Sequence, residues 1–229
     1  MPTSKSGMDL KESDFITQLS PEEKQFLEDK SYKKYYHKNS IIHSPGDKVN
    51  HVNYILSGRV KIYNLSESGK EIIYRFCGPN SFFGIAEICG GDRREVFAEA
   101  VEDTQALCLD REDFLELLES NHQITLLSLK ILGTRLRRAH RAIQSLAMQD
   151  TNARLAHLLL KLVNDNRSET SRDTFKDKLT HQEMANMIGA TRTTVTELIN
   201  EYKAHDYIEY IDGKIRILNF DILRQLAEK

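Results

Sequence analysis

The stretch 180–218, THQEMANMIGATRTTVTELINEYKAHDYIEYIDGKIRIL, constrains this chain more than any other. Thr180 and Glu183 stand at S/T-x-x-E spacing, so the hydroxyl can accept from the third backbone N–H while the carboxylate reaches back. The spacing predicts a first helix with Met184, Ala185, Met187 and Ile188 inward, ended by Gly189 in the left-handed region. Thr191 then caps a second helix, whose Val195, Leu198, Ile199 and Tyr202 fall at i, i+3, i+4, i+7. Its other face carries Arg192, Thr193, Thr196, Glu197 and Asn200, short polar groups and one fork-shaped cation. Side chains of this kind contact phosphates and base edges when a helix enters the major groove. Two extended runs, 207–211 and 214–218, flank Asp212-Gly213, a strong hairpin signal. Helix, turn, helix and hairpin read as a winged helix. An αα-hairpin in an enzyme core offers the same two helices, but both caps, the Gly and the wing weigh toward DNA.

The totals bound the rest. A chain of 229 residues has room for one large or two modest domains, and 40% hydrophobic with 29% charged residues suits a solvent-exposed molecule with a buried core. No run of ~18 apolar residues suggests a membrane span, and the start MPTSKSGMDLKESDF lacks the apolar core of a secretory signal, so a cytoplasmic location is expected. The net charge of −2 counts against nucleic acid. So does the balance of cations and anions from Asp150 onward, about a dozen of each. Cys77, Cys89 and Cys108 have no metal-ligand spacing and read as small buried thiols, a redox role being the alternative.

In chain order, residues 1–19 form a polar tail. Ser20-Pro21-Glu22-Glu23 announces a helix with Phe26 and Leu27 on its apolar face. From about residue 32 to 109, glycines recur at intervals of ~8–12 residues between β-rich runs, the texture of an all-β barrel or sandwich. The runs are 51–56, 59–65, 71–76, 95–101 and 104–109, the last two around a Glu102-Asp103 turn. In 71–76, Ile72, Tyr74 and Phe76 alternate with Glu71 and Arg75, so the former are expected to face inward. The segment FFGIAEICGGDRRE, 82–95, reads either as a loop cradling a phosphate through backbone N–H groups and an arginine, or as an ordinary turn with solvated cations. After a short amphipathic segment (Phe114, Leu115, Leu117, Leu118), a long helix over 123–148 carries Leu129, Leu132, Leu136, Ala139, Ile143 and Leu146 as a two-per-heptad stripe. Ile124, Leu127 and Ile131 give it a second apolar edge, expected to pack on the β domain. The stripe reads as a parallel homodimer seam, with a lone core helix as the alternative. Arg135, Arg137, Arg138 and Arg141 read as solvated. A hinge at 147–150, a helix over 151–163 with Leu155, Leu158, Leu159 and Leu162 inward, a polar turn over 164–178 and a final helix over 220–227 complete the chain.

This order resembles the cAMP receptor protein/FNR family of bacterial transcription regulators across nearly the whole length. LTHQEMANMIGATRTTVTELI resembles its DNA-reading unit, FFGIAEICGGDRRE its effector loop, and VEDTQALCLDREDF the end of its β-roll. The resemblance implies an α+β chain. An N-terminal double-stranded β-helix (jelly-roll) effector domain over 20–122 would lead into a central dimerisation helix over 123–148 and a winged helix-turn-helix domain over 149–229. It implies a homodimer that takes an effector between β-roll and central helix, reorients its DNA-binding domains and contacts RNA polymerase. DNA contacts are then expected from Thr180, Gln182, Thr191, Arg192, Thr193, Thr196 and Glu197.

The effector positions fall on Gly84, Ile85, Arg94, Glu95, Ala139 and His140. Cyclic-AMP-binding members carry a ribose-holding glutamate where this chain has Ile85, and an Arg-Ser pair where it has Arg94-Glu95. Their adenine-contacting Thr-Ser pair falls on Ala139-His140. The effector is therefore expected not to be cAMP and is otherwise unassigned. No N-terminal cysteine cluster exists for an iron–sulfur centre, and the loop lacks the His of the haem-binding members. No cluster is expected and haem is disfavoured, with His37, His43 and His51 read as surface or core residues. No catalytic constellation or metal set is found, so the chain is not read as an enzyme. The rival reading is a cyclic-nucleotide-binding-like module that acts through protein contacts.

Overall fold

The computed structural model describes residues 19–165 and 178–228. The expected tail and most of the polar turn over 164–178 lie outside the described residues. By contact density the chain divides into two units. One holds the residues up to Asn64 together with Tyr74–Ala139; the other holds Leu65–Ile73 together with the residues from His140 onward.

The first unit begins with α1 (Pro21–Lys30), whose start is a complete capping box: Ser20 accepts from the Glu23 N–H and Glu23 bonds the Ser20 N–H. Eight strands follow: β1 (Ser31–Tyr36), β2 (Ile41–His43), β3 (His51–Ser57), β4 (Val60–Leu65), β5 (Glu71–Cys77), β6 (Phe82–Phe83), β7 (Phe97–Ala100) and β8 (Thr104–Asp110), with a short helix α2 (Ile85–Gly90) between β6 and β7. They form two four-stranded sheets, in the orders β1-β8-β3-β6 and β2-β7-β4-β5. Ile55, Val60, Ile62, Cys77, Phe83 and Ala98, drawn from strands of both, form one buried cluster. The runs on either side of Glu102-Asp103 join different sheets, β7 one and β8 the other, as jelly-roll topology requires. The segment after Gly84 is helical rather than a loop, so its apolar residues Ile85 and Ile88 turn fully inward.

β5 also faces the opposite way from the expectation. Ile73 and Cys77 are buried, whereas Ile72 and Tyr74 are exposed and Phe76 is half-buried beneath the Arg59 guanidinium, 4.0 Å from its ring centroid. The strand carries apolar residues at both parities, so alternation alone does not choose a face; as an edge strand beside β4 it is set by its neighbour. Cys77 and Cys108 are buried thiols, but Cys89 is exposed on α2, contrary to expectation.

The other face of β3 and β8 is covered by helices. α3 (Arg111–Ser120) and α4 (His122–Met148) contribute Phe114, Leu117, Ile124, Leu127 and Ile131 to a cluster with Val52, Tyr54 and Leu109. The second apolar edge of α4 thus packs on the β domain. Asn121 caps this helix by accepting from the Ile124 N–H at 3.0 Å. Arg135 is not simply solvated: its Nη2 donates to the Phe82 carbonyl at 2.6 Å.

In the second unit, Asp150 accepts from the Ala153 N–H at 2.7 Å and starts α5 (Thr151–Asp165). Leu155, Ala156, Leu158 and Leu159 join Met184, Ile188, Val195, Ile199, Tyr202, Ile208 and Leu223 in one core. Helices α6 (His181–Ile188) and α7 (Arg192–Ala204), the hairpin β9 (Ile208–Ile211) and β10 (Lys214–Ile217), and α8 (Phe220–Ala227) supply the rest. Asp212 and Gly213 both have positive φ, 51° and 75°, the pair that a tight two-residue hairpin needs.

Candidate nucleic-acid interface and effector site

The helix-turn-helix is built by its caps. Thr180 accepts from the Glu183 N–H while Glu183 accepts from the Thr180 N–H at 2.7 Å, closing the start of α6. Gly189 ends that helix at φ 69°, ψ 30°, and a Cβ there would lie 3.2 Å from Leu146 Cδ2. Thr191 accepts from the Thr194 N–H and starts α7. With Val195, Ile199 and Tyr202 fully buried, the helix has no rotational choice: Arg192, Thr193, Glu197 and Asn200 must face outward, and all four are exposed. Tyr202 is anchored further by donating to the Asn152 carbonyl at 3.1 Å and to its side-chain oxygen.

Several expected contact residues have prior commitments. The Thr180 and Thr191 hydroxyls are engaged in capping, and Gln182 Nε2 donates to Asn186 Oδ1 at 2.8 Å. Thr196 is half-buried, and its hydroxyl donates to the Arg192 carbonyl at 2.8 Å. Arg192, Thr193 and Glu197 remain clear. Glu197 makes no ion pair with Arg192 or Lys203 among the described residues, so its carboxylate is open to solvent. Asn186, buried on α6, is a polar core residue that helical periodicity concealed.

In the β unit the structure brings Gly84, Ile85 and Arg94 together. Arg94 is 3% exposed, and its guanidinium donates to the carbonyls of Gly84, at 3.3 Å, and His51. The Glu87 carboxylate lies 3.7 Å from Nη1. Gly84 has φ 89°, and a Cβ there would sit 2.5 Å from Arg94 Nη1, so the glycine makes room for the cation. Burial pulls the Arg94 guanidinium below its ordinary pKa, opposed by Glu87, Tyr36 and Asp47. Burial, and then Arg94, push His43 and His51 down to about 4. Burial also raises the Tyr36 hydroxyl well above its ordinary value. Tyr36 donates to Asn53 Oδ1 at 3.4 Å and Cys108 donates to the same oxygen at 3.3 Å. Among the described residues the buried Asn53 Nδ2 has no hydrogen-bond partner. Tyr36, His43, His51, Asn53 and Glu87 share no spacing in the sequence that points to one site, and only the third dimension gathers them.

The remaining effector positions do not join this group. Glu95 is exposed and points no carboxylate at Arg94, while Ala139 and His140 are exposed on α4. On the same helix Leu129, Leu136, Ile143 and Leu146 are 58%, 58%, 65% and 56% exposed; Leu132 is half-buried against the β-domain core.

Residues 33–121 match the cyclic nucleotide-binding domain and residues 153–226 the Crp-like helix-turn-helix domain. The global nitrogen regulator of Nostoc sp. is 31% identical over 185 residues, 80% of this chain and 83% of its own. The cAMP-activated global transcriptional regulator CRP of Haemophilus influenzae is 28% identical, covering 80% of this chain and 82% of its own. A solved CRP/FNR-family transcription regulator from Thermus thermophilus superposes with a TM-score of 0.65 at 30% identity, covering 86% of this chain and 99% of that one. These relatives are transcription regulators rather than enzymes, and no described helix is long and apolar enough to cross a membrane. With its β-roll, long helix and winged helix-turn-helix, the chain belongs to the CRP/FNR family of DNA-binding transcription regulators.

Proposed function

We propose that the protein works in the cytoplasm as a homodimer on a twofold DNA site, with α4 as the seam and α7 as the helix that reads bases. The observation that carries this is the uncovered stripe of Leu129, Leu136, Ile143 and Leu146 on a helix whose other edge is fully packed. These side chains are 56–65% exposed, so covering the remainder of four in each of two copies is worth about 7–14 kcal/mol gross. That is of the same size as the ~4–15 kcal/mol cost of association, whereas no comparable compensation exists for leaving the stripe in water. The working division is a β-roll over 20–122, a seam helix over 123–148 and a reading domain over 149–229. RNA polymerase is the partner the family suggests.

The effector enters at Gly84, Ile85 and Arg94 and is not cAMP. An anion placed on Arg94 meets a guanidinium with two N–H groups already given to backbone carbonyls and sits beside the Glu87 carboxylate, which repels it. Ile85 offers no polar group to a ribose. Glu95 and Ala139, exposed outside that cluster, supply no buried contact to the site.

Sedimentation and duplex binding test the seam. Replacing Leu129 and Leu136 together with Asp places two charges per copy in the apolar interface, away from the β-domain core, and both dimer and tight DNA binding are lost. Persistence of the dimer in that variant overturns the assignment of α4.

A further inference from the structure

His181, the first residue of α6, is bonded at both ring nitrogens. Nδ1 lies 2.9 Å from Thr196 Oγ1 on α7, and Nε2 lies 3.1 Å from the Tyr210 hydroxyl on β9. Counting protons fixes the roles. The single proton of the Thr196 hydroxyl is given to the Arg192 carbonyl at 2.8 Å, so toward the ring this oxygen can only accept. Nδ1 therefore carries the imidazole proton. A neutral ring then presents a lone pair at Nε2, which takes the proton of the Tyr210 hydroxyl. Each of the three polar groups fills a role that the other two leave open. Burial, and then the Arg192 and Lys203 cations, hold His181 below its ordinary pKa, which agrees with a neutral ring.

We propose that His181 is a positioning residue that pins the recognition helix to the wing and leaves Thr196 an acceptor-only reader of DNA. The proposal rests on the reading of α7 as the recognition helix. The ring spans three elements: the start of α6, the second turn of α7 and the first strand of the hairpin. Val195, Ile199 and Tyr202 fix which face of α7 is inward, and Tyr202 ties the far part of that helix to α5. One directional bond from the ring ties its second turn to α6, and the other ties the wing to the same ring. The same bonds set the chemistry of Thr196. With its proton spent and one lone pair taken by Nδ1–H, the hydroxyl has one lone pair left. It can accept from an adenine or cytosine amine, and it cannot donate to a phosphate or to the acceptor edge of guanine.

Two measurements on the full-length protein test this. A long-range proton–nitrogen spectrum of ring-labelled protein reads the tautomer directly, without DNA or effector. The expected spectrum assigns the His181 proton to Nδ1, and Tyr210→Phe shifts the Nε2 signal. A proton on Nε2, or a spectrum indifferent to Tyr210→Phe, overturns the proposal. The second measurement is affinity for the duplex that the wild type selects from a random pool, in a double-mutant cycle. Tyr210→Phe weakens binding about threefold to tenfold in the wild type, and less than about twofold in His181→Ala. Equal losses in both backgrounds overturn the pin, since a wing tyrosine that merely packs loses the same affinity with or without the histidine. Arg192→Ala on the same duplex serves as reference. If it leaves sequence-specific affinity intact, the assignment of α7 fails, while the tautomer spectrum still decides the His181 network.

Discussion

Gly84→Ala isolates the link between the left-handed glycine and the buried arginine. At φ 89° a residue with a Cβ is strained by about 1–2 kcal/mol. The new Cβ also falls 2.5 Å from Arg94 Nη1. A guanidinium end can swing, but this one is 3% exposed and held by the Gly84 and His51 carbonyls beside Glu87, so moving it forfeits at least the Gly84 bond. A hydrogen bond from a charged donor contributes ~1.5–3 kcal/mol, which brings the expected loss to about 2.5–5 kcal/mol. In an Arg94→Ala background the clash is gone and only the strain of about 1–2 kcal/mol remains. The assay is amide exchange in β3 and β8, which reports the β unit separately from the rest of a chain that need not unfold in one step. If alanine at position 84 costs the same in both backgrounds, the glycine is there for its own conformation and not for Arg94.

Two further perturbations reach other parts of the molecule. Glu197→Arg places a bidentate donor on the exposed face of α7, and selection from a random duplex pool should then recover a guanine at one position per half-site, worth ~1–3 kcal/mol of discrimination; an unchanged motif removes Glu197 from the readout. His43 and His51 have folded pKa values of about 4 against an ordinary value near 6.5, so between these the unfolded chain binds more protons. Stability of the β unit is therefore full above about pH 6.5 and falls as pH drops toward about 4, with a slope approaching two protons. Urea midpoints across that range should show the decline, and replacing either histidine with Asn should remove about one proton of slope; a flat profile contradicts the burial of these rings.

What the sequence disclosed was whatever depends on neighbours along the chain. The capping boxes at Ser20 and Thr180, the Gly189 turn and the Asp212-Gly213 hairpin each involve residues within four positions, and all formed as their spacing required. Both apolar edges of α4 were legible for the same reason. The facing of β5 was not, since Ile72 and Ile73 offer equal grounds for either parity and β4 decides between them. Nor was the commitment of Arg94, whose carbonyl partner at His51 is 43 residues away. In the candidate DNA interface, the outward position of Arg192, Thr193 and Glu197 followed from periodicity. The bonds that occupy Thr196 and His181 did not, because Tyr210 reaches His181 only after the hairpin folds back.

The 27-residue α4 has a consequence for how the chain can change length. A straight helix of this size is ~40 Å long, and every residue along it is phased to every other by 100° per step. Ile124, Leu127 and Ile131 on one side and Leu129, Leu136 and Ile143 on the other therefore keep a fixed angular offset. Inserting one residue between Ile131 and Leu136 turns everything beyond by about 100° and carries the outer stripe a quarter-turn around the rod. Seven residues restore it to within about 20°. Turns such as the one at Gly69, where a Cβ would meet nothing within 4 Å, can grow or shrink residue by residue. The helix keeps its two edges in phase only for changes close to whole turns, such as seven or eleven residues, so α4 sets the increments of length that the chain accepts.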